Sequence, residues 1–144
     1  MRRIIVFELN QMLCAADVLS VYEIIACHEV TAVPNLAPFV EGIFHLRDLI
    51  IPVIDLNKRF SLGDTHICDK TKLIISELGD KKAGYLVNSV KQIVLCDEKS
   101  FQPVPPAVHS EKNQYLSSIL LLDDEVVNMI DFSAILNGTE WNEL

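Results

Sequence analysis

Apolar and polar residues alternate in short runs along most of the chain, the period of half-buried strands. In residues 4 to 9, Ile5, Phe7 and Leu9 fall on one face and Ile4, Val6 and Glu8 on the other. Asn10-Gln11 then reads as a turn and Met12 to Ala16 as a second strand. After Asp17, a candidate N-cap, Val18, Val21, Tyr22 and Ile25 keep helical spacing, although the branched residues of Val18 to Val21 suit a strand equally well. Pro34 and Pro38 punctuate the crossing to Phe39-Val40. From Gly42 to Leu56 the chain is apolar on both sides of one polar break, His45, Arg47 and Asp48. A strand apolar throughout wants burial on both faces, and an arginine is seldom buried without a partner. The chain must therefore reach the surface near residues 45 to 48, and function is to be sought there.

The polar segment from Asp64 to Thr71 reads as a loop between units, and the residues after it resemble those that began the chain. With Arg3 laid on Lys72, residues Ile5, Glu8, Leu9, Val18, Ser20, Val21 and Ile24 recur as Ile74, Glu77, Leu78, Val87, Ser89, Val90 and Ile93. A longer shift lays Pro52-Val-Ile-Asp-Leu56 on Asn128-Met-Ile-Asp-Phe132, the added length falling in the proline-rich stretch Phe101 to Pro106. Two copies do not make a solenoid. They predict a mainly β chain of two similar subdomains, roughly 1–63 and 72–132, each of about five short strands. Small strand-rich units hide their edges best by closing, so two linked small barrels are expected, a single mixed sandwich being the alternative. A final short helix, capped by Asp131 or Ser133 and ended by Asn137-Gly138, completes the reading.

At 144 residues, half of them apolar, the chain buries roughly two-thirds of its unfolded surface and needs no staples. The net charge of −8, with no basic patch, argues against nucleic acid and anionic lipid as partners. No apolar run approaches the roughly 20 residues of a membrane span, and Glu8 and Asn10 end the N-terminal run too early for a secretory signal. A cytoplasmic protein is expected. Its four cysteines, Cys14, Cys27, Cys68 and Cys96, without a C-x-x-C pair, are then reduced thiols in or near the core.

The search for chemistry finds no convergent set. Adjacent Cys27 and His28 point to opposite faces of a strand, and His66 with Cys68 offers only two ligands. A small-molecule or metal sensor built from these four residues is the competing functional class. Ser89, Ser117 and Ser118 lie in no nucleophile elbow, and the scattered glycines cradle no phosphate, so neither an enzyme nor a cofactor is expected. Asp123-Asp124-Glu125 reads as a solvated hairpin turn, and Asp55 and Asp131, recurring in both halves, as backbone-bonding turn residues. What remains is a protein-binding surface with Arg47 as its anchor, unless Arg47 is bonded within the chain to Asp48, Glu23 or Asp55.

The segments Val21-x-Glu23-Ile24, Pro34-x-x-x-Pro38, Gly42-x-x-x-Leu46-Arg47, Ile51-Pro-Val-Ile-Asp-Leu56 and Gly84-x-x-Val87-x-x-Val90 succeed one another in an order that resembles the CheW family of chemotaxis coupling proteins. The resemblance implies two five-stranded SH3-like barrels. It implies a non-enzymatic scaffold that bridges the cytoplasmic tip of a methyl-accepting chemoreceptor to the regulatory domain of a CheA-type histidine kinase, in the cytoplasm at membrane-associated receptor arrays. By motif, Val21, Glu23, Gly42 and Arg47 would line the groove that receives the receptor's helical hairpin. Where the family has Asn, Gly and Asp, this chain has His45, Asp48 and Asn88, and it has Ser117-Ser118 where a Gly is usual. Those departures suggest a divergent copy, an adaptor for another receptor or a non-flagellar pathway.

Overall fold

The N-terminal alternation folds into an antiparallel hairpin, Arg2–Leu9 (β1) with Met12–Asp17 (β2), Phe7 lying opposite Cys14. Ile5, Phe7 and Leu9 enter one core and Ile4 and Val6 another, which is why the strand carries so few polar residues. In the computed structural model, which describes residues 1–144, nine further strands are present. They are Glu23–Ala26 (β3), Val40–Leu46 (β4), Leu49–Asp55 (β5), Lys72–Leu78 (β6), Lys81–Val87 (β7), Ser89–Cys96 (β8), Phe101–Gln102 (β9), Leu116–Leu122 (β10) and Glu125–Ile130 (β11). Two short helices, Leu56–Arg59 (α1) and Gly138–Asn142 (α2), complete a mainly β protein.

The strands form a six-stranded sheet ordered β8-β1-β2-β11-β10-β9 and a five-stranded sheet ordered β3-β6-β7-β5-β4. Each sheet draws on both halves of the repeat. The β1–β2 hairpin joins β11 through parallel pairing of Ala15 with Met129, and the β6–β7 hairpin joins β5 through parallel pairing of Gly84 with Val53. These pairings stand at equivalent places in the repeat, as do the bulges between Val40 and Gly42 and between Leu116 and Ser118.

The expected barrels are not closed. Each sheet keeps two edge strands, because the connections that would complete the ladders carry Pro34 and Pro38 or Pro103, Pro105 and Pro106, which lack the N–H a ladder needs. Only Thr31 bonds back across the gap, to Ile43. The sheets nevertheless pack as two subdomains, each with its own apolar cluster, one around Val6, Leu120 and Met129 and the other around Ile51, Leu73 and Leu86. A third and larger core between the sheets holds Phe7, Tyr85, Phe132 and Trp141, with Tyr85 and Phe132 ring centroids 5.0 Å apart.

Two local readings change. Asp17 does cap, its carboxylate accepting from the Leu19 N–H, but only a single 3-10 turn, Val18–Ser20, forms before the branched residues extend into β3, where the edge of β6 offers them ladder bonds. At the C-terminus, Asp131 caps the turn Phe132–Ala134 as expected. Asn137-Gly138 begins α2 instead of ending a helix, since the Asn137 side chain and Glu140 form a reciprocal capping box. Arg59 holds that helix with two bonds to Glu140 at 2.8 and 2.9 Å, which seats Trp141 in the inter-sheet core.

Candidate functional site

The polar break in the Gly42 to Leu56 stretch is the two-residue turn of the β4–β5 hairpin, which Arg47 enters in the left-handed region (φ 53°). Asp123, its counterpart in the β10–β11 turn, has φ 49°. The turn brings Arg47 to the surface, with its side chain 63% exposed, and aims its guanidinium at Glu23, the first residue of β3. Nη2 donates to both carboxylate oxygens, at 3.1 and 2.9 Å. β3 and β4 are the two edges of the five-stranded sheet, so this ion pair ties its edges together where no ladder does. An exposed pair of this kind contributes at most about 1 kcal/mol. Asp55, one of the other possible partners of Arg47, is buried and turned inward to cap α1, accepting from the Asn57 and Lys58 N–H groups.

Of the four residues singled out by the sequence, Glu23 and Arg47 therefore meet. Val21 sits half-buried at the end of the 3-10 turn, packed on the inter-sheet core. Gly42 lies apart from them in the β4 bulge with φ +149°, and a Cβ built on it would stand 2.1 Å from the carbonyl oxygen of Thr31. The close backbone approach that a glycine invites is made there by the chain itself.

The structure adds residues that sequence reasoning did not single out. Beside Glu23, the half-exposed Tyr22 ring lies 4.6 Å from Lys82 Nζ, and Lys82 bonds Glu77 at 2.8 Å. From Glu77 the surface continues into a cleft of about 300 Å³ between the sheets, whose apolar lining is Leu19, Leu78, Phe132 and Trp141. Leu19 is 94% exposed and Leu78 40%. A signal for Leu78 was present, since its repeat partner is Leu9, a core residue. Leu19 and Trp141 gave none, because Leu19 falls on the polar Asn88 in the repeat and the C-terminal helix has no counterpart in it.

The residues of the sensor alternative are dispersed by role. Cys27 is buried with its thiol donating to the Glu29 carbonyl at 3.7 Å, His28 is exposed, and His66 and Cys68 lie exposed on the long loop before β6. No three His, Cys, Asp or Glu side chains gather to hold a metal ion. The Ser89 and Ser117 hydroxyls donate to Glu8 and to the Met129 carbonyl.

Cys68 departs from the expectation of four core thiols. Its pKa is lowered by a backbone hydrogen bond from Lys70 and then by the Thr71 hydroxyl, whereas burial pushes Cys14 from 9.0 up to about 12 and raises Cys27 and Cys96. A thiol-disulfide exchange reagent at neutral pH is expected to label Cys68 alone quickly, and a second equally fast thiol would contradict the burial pattern. An unfolded chain loses the Cys14 proton near pH 9.0 and the folded chain only near 12, so in that window the unfolded state holds fewer protons. Stability is then expected to fall as pH rises through that window, by about 1.4 kcal/mol per pH unit for this group alone, and to be untouched by it below pH 9, as denaturant titrations at stepped pH would record.

Two small sheets packed over a shared core leave an ion pair and an apolar cleft on the outside. A family model for the CheW-like domain matches residues 3–140. The chain is 30% identical over 135 residues to the chemotaxis protein CheW of Bacillus subtilis, covering 94% of this chain and 86% of that protein. It is 25% identical over 149 residues to CheW of Treponema pallidum, covering 99% and 86%. The crystal structure of the scaffolding protein TtCheW from Thermoanaerobacter tengcongensis superposes with a TM-score of 0.85 at 34% identity, covering 96% of this chain and 91% of that one. This chain belongs to the CheW-like domain family, the adaptors and scaffolds of chemotaxis. No helix in it is long and apolar enough to cross a membrane.

Proposed function

We propose that the chain is a non-catalytic chemosensory adaptor, acting in the cytoplasm at membrane-associated receptor arrays. It couples the cytoplasmic tip of a methyl-accepting chemoreceptor to the regulatory domain of a CheA-type histidine kinase. The observation that carries this reading is the continuity of the exposed Arg47–Glu23 pair, through Tyr22 and Lys82, with the open apolar cleft. A helical hairpin needs such a surface: apolar side chains to bury, and a forked cation beside them to fix register by bidentate bonding. Val21 supports the strand that carries Glu23, and Gly42 shapes the edge of the hairpin that carries Arg47.

Arg47→Glu tests the placement. Because the pair is exposed, the variant is expected to melt within about 3 °C of the parent, while affinity for a receptor-tip fragment falls at least about ten-fold. Adding Glu23→Arg to that variant restores the internal pair with its charges exchanged. Binding that returns with the exchange would assign Arg47 a role only inside the chain, and binding unaltered by Arg47→Glu would move the receptor to another face.

A further inference from the structure

The internal repeat builds one cleft twice, and its two copies differ. In the first, the end of β1 (Glu8, Leu9), Asn88 and the Asp55 cap meet, and residues 61 to 65 fold over them. Thr65 donates its N–H to Asp55 Oδ2 at 3.1 Å and its hydroxyl to Oδ1 at 2.6 Å, and Asn57 Nδ2 bonds both Thr65 and Asn88. Leu9, Asp55 and Asn57 are sealed inside. In the second, the equivalent Glu77, Leu78, Leu19 and Asp131 line the 300 Å³ cleft between the sheets, and the chain past Asp131 leaves as a turn and a helix instead of folding back.

This open copy has two unused polar groups. Asp131 accepts from the N–H and hydroxyl of Ser133 at Oδ1, and Oδ2 takes no donor from the chain. Trp141, in the cleft wall, is 7% exposed, and its indole N–H is the one buried side-chain polar group that meets no acceptor in the chain. A buried donor left unpaired is costly, so such groups are rare without a reason. A free acceptor on the cleft and a free donor held behind its wall are together the complement of an amide, which donates through N–H and accepts through C=O.

We infer that this cleft captures a peptide segment by an amide group, its N–H on Asp131 Oδ2 and its carbonyl on Trp141 Nε1, with its apolar neighbours against Leu19, Leu78 and Phe132. The captured segment does from outside what Thr65 does from within in the sealed copy. The identity of the segment rests on the receptor reading above: it is the turn at the end of the helical hairpin, because within the helices the amides are already bonded to one another and at their ends they are not. The indole N–H lies below the cleft surface, so capture turns the ring, and Trp141, the chain's single tryptophan, reports the event.

Two measurements test the site. N-acetyl-leucinamide, titrated into the intact protein, is expected to move the lone indole N–H resonance downfield, while isopentyl alcohol, apolar but without an amide, leaves it in place. An unmoved resonance overturns the inference whatever the receptor does. With a tryptophan-free receptor-tip hairpin, Trp141→Phe is expected to bind about ten-fold more weakly while melting about 5 °C below the parent, since the smaller ring leaves a cavity in the core. Asp131→Asn keeps the cap but turns Oδ2 into a donor, and is expected to weaken binding similarly. Binding unchanged in both variants, or weakened in Trp141→Phe but unaltered in Asp131→Asn, would reduce the indole to a packing group and overturn the inference. If the parent ignores the hairpin while the amide probe still moves the resonance, the receptor reading falls and the amide site stands.

Discussion

Gly42→Ala is expected to melt roughly 10 °C below the parent, a loss of about 3 kcal/mol in a chain of this size. Two costs add. At φ +149° an alanine is strained wherever it sits, and here its Cβ would stand 2.1 Å from the Thr31 carbonyl oxygen and 2.9 Å from its carbon. Neither atom belongs to a flexible side chain that could swing away. Thr31 bridges the long β3–β4 connection back to the sheet, exchanging both backbone bonds with Ile43, so pushing it outward also breaks those bonds. Urea titration followed by circular dichroism measures the loss, and a cost below about 1 kcal/mol would mean the connection yields freely. The expectation also separates Gly42 from Arg47. On the proposed function, variants at Gly42 are expected to lose receptor binding by unfolding the edge of the sheet, and variants at Arg47 with the fold intact.

The second large effect is expected at Asn57, which is fully buried at the start of α1. Its Oδ1 accepts from the Asn10 N–H at 2.9 Å, and its Nδ2 donates to Thr65 Oγ1 at 2.6 Å and to Asn88 Oδ1 at 2.8 Å. Those partners come from the β1–β2 turn, the long loop and the β7–β8 junction, so one side chain fastens hairpins that belong to different sheets. Asn57→Leu keeps the size but breaks all three bonds, and because the Asn10 N–H and Asn88 Oδ1 it leaves are only part-buried, each bond is worth about 1 kcal/mol. A total loss of about 3 kcal/mol is expected. Ser133, the repeat counterpart in the open cleft, is exposed, and Ser133→Ala is expected to cost less than about 1 kcal/mol. Equal losses at the two positions, read from parallel denaturation curves, would remove the distinction between a sealed and an open cleft.

Much of this was legible in one dimension because it is local. The alternation of Ile4 to Leu9 and the Asn10-Gln11 turn specify a hairpin, and Asp55 and Asp131, recurring in the repeat, specify two caps. The same locality explains the misreadings. Val18 to Ile25 satisfies a helical period and a strand composition at once, and the bonds offered by β6 decided in favour of the strand beyond Ser20. Asn137-Gly138 can end a helix or begin one, and Glu140, three residues on, turned it into a beginning.

The sequence by itself determined the mainly β class, the duplication, the loops at the prolines and the emergence of Arg47 at a turn, since each depends on residues close together in the chain. Which hairpin joins which sheet was left to the tertiary structure. The two halves are similar enough that β1–β2 and β6–β7 present nearly the same edge, and only the packing of the whole chain selects the exchanged pairing of Ala15 with Met129 and Gly84 with Val53. The union of Arg47 with Glu23, the backbone of Thr31 against Gly42, and the contrast between a cleft sealed by Thr65 and one left open beside Trp141 all stem from that choice. Each joins residues brought near only once the sheets have curled and stacked, and no pattern of neighbouring residues records such a meeting.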